Sequence, residues 1–397
     1  MGLLWLCGFL NYADRQAVFS VFPLLKTEFG LDDTAKGLIG SSFMVVYACA
    51  SPFTGRIVDL VARRGLIVGG LALWSLICGL TALSGKYVHL LFFRAAEGLG
   101  ESCYFPASMS TIADLHGPAT RSRAMSLHQT SVYVGTAFGG LLAGFLGERY
   151  GWRSPFWILG LAGIAYAMLL LILLKEPKRQ AEIVPERTET SLRAGLWKLV
   201  RTPGVIWFLL AFAGANFVAA ALLSWMPDYV SRTFGLNLTS SAAVAALFLP
   251  MANLVGALLG GWLADRLAQK RAGARATIQA TALLLGAPCV ILVGFTHSLP
   301  PLIAALIGIG LCKGVYDANI FAALFDAVPA SSRGLAAGFM NTVGWTGGSL
   351  APLMVGIASD RVGLSGAIAS TGLLYLVAAG LAAIAARACS RHSTRDA

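Results

Sequence analysis

The sequence predicts an all-α membrane protein, with twelve transmembrane helices in two pseudo-symmetric halves of six. Three observations predict it. Charged residues make up only 12% of the 397 residues, against 57% hydrophobic, where soluble domains carry roughly 25% charged. Apolar runs near the bilayer length of about 20 residues recur twelve times. Short charged motifs also repeat between the halves at a nearly constant offset.

The first six runs fall at about 3–25, 36–58, 66–84, 88–112, 123–147 and 155–174. The first is not a signal peptide, because it lacks a basic start and Asp14-Arg15 interrupts its apolar core. The segment 175–201 carries eleven charges in 27 residues and reads as a solvated linker. The second six fall at about 202–224, 240–263, 276–297, 300–325, 334–357 and 365–386. Residues 276–312 carry no formal charge, too long a stretch for one span, and Pro300-Pro301 marks the turn between two. The expected organisation is therefore a bundle over 1–174, a linker over 175–201, a second bundle over 202–387 and a tail over 388–397.

Loop charge sets the orientation. With the linker and both termini cytoplasmic, 20 Lys/Arg lie on that side. Seven lie outside, namely Lys26, Lys36, Lys86, Arg149, Arg153, Arg232 and Arg361. The net charge of +11 is then a positive-inside signature, and no nucleic-acid partner is expected. A multi-pass protein of a bacterial inner or cell membrane, with both termini cytoplasmic and monomeric, is the expectation. Seven cysteines without a CxxC pair imply neither a disulfide framework nor a metal site.

The repeat is visible in three places. Gly55-x3-Asp59 with Arg63-Arg64 matches Gly261-x3-Asp265 with Arg266 and Lys270-Arg271, the aspartates being 206 apart. Asp114 with Arg121 matches Asp326 with Arg333, and Glu148-Arg149 matches Asp360-Arg361, both at offset 212. Parallel six-span repeats place a site near the midplane between them.

Twelve spans, a basic central linker and the two G-x3-D loops make the chain resemble the major facilitator superfamily, although Leu60 stands where that family often has a base. Asn11-Tyr12-Ala-Asp14-Arg15 and Arg94-x6-Glu101 resemble the spinster-like and anion:cation symporter groups. The resemblance implies secondary transport by alternating access. It points to Asp14 and Glu101 for proton coupling and to Arg94 and Arg15 for an anionic headgroup; Glu97 is a further candidate for coupling.

Charge inside a span is costly and needs a reason. Seven such residues stand out: Asp14, Arg15, Arg94, Glu97, Glu101, Lys313 and Asp317. Arg94, Glu97 and Glu101 are spaced i, i+3, i+7, roughly one helical face. The first half thus holds three acids and two bases. The odd carboxyl, stranded in low dielectric, takes a proton or a cation, so H+ is the expected coupling ion, with no cofactor. The competing reading is interior ion pairing alone. Lys313 and Asp317 are i, i+4 and read as either a neutral helix lock or an addition to anion attraction.

Tyr12, Asn11, Tyr104, His128, Gln129 and Asn216 are further candidates for lining the cavity. Gly55, Asp59, Arg63, Arg64, Gly261, Asp265 and Arg266 form an expected conformational gate at the cytoplasmic helix ends. Absence of HExxH and P-loop motifs argues against an enzyme. The expected function is proton-coupled transport of an organic anion, of sugar-acid or carboxylate type, or of an anionic lipid-like solute. A multidrug efflux antiporter and a non-transporting receptor on the same fold are the alternatives.

Overall fold

The structure, a computed structural model, describes residues 1–116, 118–176, 192–269, 273–329 and 333–393. Regular secondary structure among them is α-helical throughout. Span 1 is α1 (Gly2–Ser20) followed by α2 (Phe22–Phe29). Spans 2 and 3 are α3 (Asp33–Leu60) and α4 (Arg63–Thr81). Span 4 is α5 (Tyr87–Ser102) followed by α6 (Tyr104–Leu115). Spans 5 and 6 are α7 (Pro118–Tyr150) and α8 (Arg153–Leu173). A short α9 (Leu192–Arg201) ends the linker, most of which lies outside the described residues, as does the end of the tail.

Spans 7, 8 and 9 are α10 (Val205–Phe234), α11 (Leu238–Ala268) and α12 (Ala274–Phe295). Span 10 is α13 (Leu299–Asp317) with α14 (Ile320–Ala327). Spans 11 and 12 share α15 (Arg333–Ser393), which turns at Gly363, where φ is 78° and only glycine is unstrained. This is the twelve-helix architecture expected, with span 7 ending ten residues later than its apolar run. Asp228 and Arg232 are therefore helical residues, which corrects the placement of Arg232 in an outer loop.

Prolines explain local features of the spans. Pro106 cannot donate to the carbonyl of Ser102, four residues back. That carbonyl instead accepts from Thr54 Oγ1 at 3.0 Å, close to where α5 gives way to α6. Pro227 likewise frees the carbonyl of Leu223, which accepts from Gln16 Nε2 at 3.1 Å. Hydroxyl and amide side chains thus satisfy backbone groups that a bilayer cannot.

By packing, the chain forms two units. The first holds the N-terminal six spans and takes in Leu223–Leu247 and Pro352–Ile357. The second holds Phe248–Ala351 and the chain from Ala358 on, with residues up to Leu222. In the first unit Leu71, Trp74, Tyr104, Ile112 and Tyr166 belong to one buried cluster. Leu161, Met168 and Ile172 on α8 stay exposed, as a lipid-facing surface requires. At the corner of α2 and α8, Glu28 accepts from Trp152 Nε1 at 2.8 Å and pairs with Arg153 at 2.7 Å.

Candidate functional site

Two close helix approaches build the site. Helices in lipid gain no hydrophobic drive from pairing, so small residues must admit close contact. At Gly139 on α7 a side chain would run into the backbone of Ala13, so α1 lies directly on α7 just before Asp14. At Gly98 on α5 a side chain would run into the carbonyl of Phe43, so α5 lies directly on α3 just after Glu97. These contacts bring Asp14 and Arg15 to the charged face of α5.

All five charges predicted in this half are buried. Arg94, Glu97 and Glu101 are 0–1% exposed, Asp14 is 3% and Arg15 is 7%. Arg15 donates to Glu101 Oε2 from Nε at 3.0 Å and from Nη2 at 2.5 Å. It also reaches Asn11 Oδ1 at 3.4 Å. Arg94 pairs with Glu97, one turn along its own helix. Arg94 therefore does not pair with both acids of its helix, since Glu101 belongs to Arg15. Two acids are matched to two guanidiniums, and Asp14 is the odd one. Asp14 Oδ1 and Glu97 Oε1 have no hydrogen-bond partner. Ligand atoms of Asp14, Glu97 and Cys78 lie within 4.8 Å of one another. Such a set, one negative charge in excess, is balanced by one proton or one monovalent cation; a divalent ion would overcharge it beside Arg94.

Aromatic rings frame the cations. Both guanidinium carbons, of Arg15 and of Arg94, lie 4.8 Å from the Phe43 ring centroid. Arg15 also lies over Tyr12 at 4.5 Å and Tyr47 at 4.9 Å. A guanidinium against a ring face is attracted by the quadrupole, more so when desolvated.

The other predicted residues fall elsewhere. Tyr104 donates its one proton to the carbonyl of Leu4 at 2.6 Å, so His128 Nε2, 2.8 Å away, must be the donor to the tyrosine oxygen. This pair ties α1, α6 and α7 together. Gln129 is half-buried on α7, and Asn216 is half-buried on α10 facing Gly344. Lys313 and Asp317 pair within α13, and Asn253 Nδ2 donates to Asp317 at 3.5 Å.

The expected gate resolves into two equivalent corners. Arg63 pairs with Asp114 and donates to the carbonyl of Ser110 at 3.0 Å. The backbone N–H groups of Arg63 and Arg64 both donate to Glu176, at 2.9 and 2.8 Å. In the second unit Arg275 bridges Asp265 at 3.0 Å and Asp326 at 2.9 Å. The base that serves Asp265 is thus Arg275. Arg266 stacks on Trp262 at 4.1 Å instead, while Lys270-Arg271 lie outside the described residues. Gly55 and Gly261 have open space beside them, and the side chain of Asp59 lies outside those described.

Sequence reasoning missed Phe43, Tyr47 and Cys78, since apolar and aromatic residues inside a span offer no contrast. It also missed an ion cluster of the buried Asp33, Lys36 and Asp228 with the more exposed Arg232. Hydropathy placed Lys36 at a span edge and the two α10 charges beyond one.

Comparison with known proteins follows this geometry. The family model described as Major Facilitator Superfamily matches residues 4–274 and 247–395. The chain is 25% identical to the hexuronate transporter of Bacillus subtilis (strain 168), over 98% of this chain and 92% of that protein. It is 29% identical to an MFS-type efflux pump of Mycolicibacterium smegmatis, over 96% and 89%. Its fold matches the crystal structure of a bacterial homolog of the human lysosomal transporter Spinster, inward-facing and unoccupied. The TM-score is 0.88 at 21% identity, covering 98% of this chain and 96% of that one.

Proposed function

The chain belongs to the major facilitator superfamily, a family of membrane transporters and not of enzymes, and from that premise we propose that it moves an organic anion in a proton-coupled cycle of alternating access. One observation carries the reading. Five buried charges meet on α1 and α5, two acids are held by two guanidiniums, and Asp14 is left over. An unmatched carboxylate in low dielectric is stabilised by a proton. Moving that proton on and off Asp14 changes the net charge of the cluster between −1 and 0, which couples it to the charge of a solute bound nearby.

Arg94 supplies the anion side. It uses Nη1 on Glu97, and its Nε and Nη2 have no acceptor. These donors suit a carboxylate, which a guanidinium grips with two parallel hydrogen bonds. The relationship to a hexuronate transporter favours a sugar acid or another carboxylate as solute.

The test is uptake into proteoliposomes with and without an inward proton gradient, using a panel of sugar acids. Asp14→Asn is expected to bind solute and exchange it down its gradient, and to lose accumulation driven by the proton gradient. An Asp14→Asn protein that still concentrates solute as the parent does would remove Asp14 from coupling. Uptake of sugar acids that ignores the proton gradient in the parent itself would remove proton coupling.

A further inference from the structure

The first unit holds three pieces of second-half helix, and each is fastened at the end that loop charge assigns to the exterior. The start of α11 packs on α7: side chains at Gly144 and Gly147 would meet Leu238, and Glu148 accepts from Thr239 N at 2.9 Å and Oγ1 at 2.6 Å. Pro352–Gly356 packs on α3. There Gly37 and Gly356 admit direct backbone contact with Pro352 and Asp33, and Leu353 N donates to Ser41 Oγ at 3.1 Å. Trp225 Nε1 holds the carbonyl of Pro352 at 3.1 Å.

The third fastening is ionic. Lys36 on α3 has a fully buried side chain and pairs with Asp228 on α10 at 2.5 Å. Arg232 on α10 grips Asp33 on α3 with both nitrogens, at 2.9 and 2.5 Å. Trp225 lies 5.0 Å and Phe22 5.8 Å from the Lys36 ammonium. The pattern within each helix matters most. Lys36 also pairs with Asp33, i, i+3, at 2.8 Å. Arg232 also pairs with Asp228, i, i+4, at 2.6 Å. Each helix therefore brings a neutral ion pair of its own. If α3 and α10 part, neither side is left with an unpartnered charge. Stranding one charge is what makes the rupture of an ordinary buried pair expensive.

A permanent fastening has no need of this device, because well-packed apolar residues join helices as strongly or more so. We propose that Asp33, Lys36, Asp228 and Arg232 form a reversible latch for the outer gate, which must open in each transport cycle. The proposal rests on the transporter reading, and not on which solute or ion is moved.

The experiment reads opening without any substrate. Ser224, on α10 one turn from Asp228, is fully buried and its hydroxyl has no partner, so Ser224→Cys is a conservative reporter. The full chain in liposomes is treated from outside with a membrane-impermeant thiol reagent, and labelling is followed by mass spectrometry of the peptide carrying residue 224. Cys78, fully buried on α4, reports unfolding in the same digest. Asp228→Asn takes an acid from both the inter-helix contact and the pair within α10. It is expected to label about tenfold faster than the parent or more, with Cys78 still protected.

The double variant Lys36→Met/Asp228→Leu keeps the cluster neutral and places apolar groups against Trp225 and Phe22. It is expected to label more slowly than the parent and to transport more slowly. Unchanged labelling in both variants makes the cluster a static fastening and overturns the proposal. If Asp228→Asn exposes Cys78, the double variant decides alone, and parental rates of labelling and transport in it overturn the latch. Loss of proton coupling elsewhere in the protein leaves these labelling rates untouched.

Discussion

Arg94 shows how much one residue can hold. It is fully buried, sits against Phe43 and spends only part of its hydrogen-bonding capacity on Glu97. A hydrogen bond to a charged group contributes about 1.5–3 kcal/mol, so Arg94→Ala should weaken solute binding by roughly 10- to 100-fold. The same change strands Glu97, at a cost of about 3–5 kcal/mol in stability, and folding could fail for that reason alone. Arg94→Ala/Glu97→Gln removes the stranded charge and is expected to fold while still binding poorly. Arg94→Lys should recover only part of the affinity, since an ammonium lacks the planar fork. Calorimetric titration with a transported sugar acid measures all three, and parental affinity in the double variant would take Arg94 out of the binding site. The residues of this cluster were legible because a charge in an apolar run is conspicuous. Phe43, which both guanidiniums touch, was not, because a phenylalanine in a span looks like any other lipid-facing or packed residue.

At the scale of helices, the positions of these side chains depend on glycine. Gly98 lets α5 lie against α3 between Glu97 and Phe43, and Gly139 lets α1 lie against α7 beside Asp14. A leucine at either position cannot be absorbed by a side-chain shift, because the atoms it meets are backbone. Gly98→Leu is expected to lower stability by about 1–3 kcal/mol or more, as overpacking does, and to reduce proton-driven uptake more than it reduces the amount of folded protein. Gly69→Leu on α4, with open space beside it, is the matched control and should leave uptake within twofold or so of the parent. Thermal melting in detergent and uptake per folded molecule separate the two effects. Hydropathy found every span, yet it could not find the junction at Cys103 or that between Asp317 and Ile320. Those follow from local backbone geometry, which average apolarity does not sense. For the same reason it ended span 7 before Asp228, hiding half of the outer ion cluster.

Across the whole molecule the repeat read from the loops holds in the packing. Gly98 meets Phe43, and 212 and 206 residues later Gly310 meets Leu249. Arg63 pairs with Asp114, and Arg275 pairs with Asp326, each residue displaced by 212. The scaffold is thus duplicated while the chemistry is not: Arg94 and Glu97 correspond to Leu306 and Ile309. The two corner pairs test how far equivalence of position means equivalence of energy. Arg63 and Asp114 have side chains 13% and 17% exposed, whereas Arg275 and Asp326 are 23% and 50% exposed. Exposed pairs contribute about 0–1 kcal/mol, and partners shielded from water lose more when one is removed. Asp114→Ala is therefore expected to lower the melting temperature clearly more than Asp326→Ala, although the two acids occupy the same place in the repeat. High salt should widen the gap, because screening weakens the exposed pair first. Equal shifts in the two variants would mean that repeat position, and not burial, sets the strength of these corners.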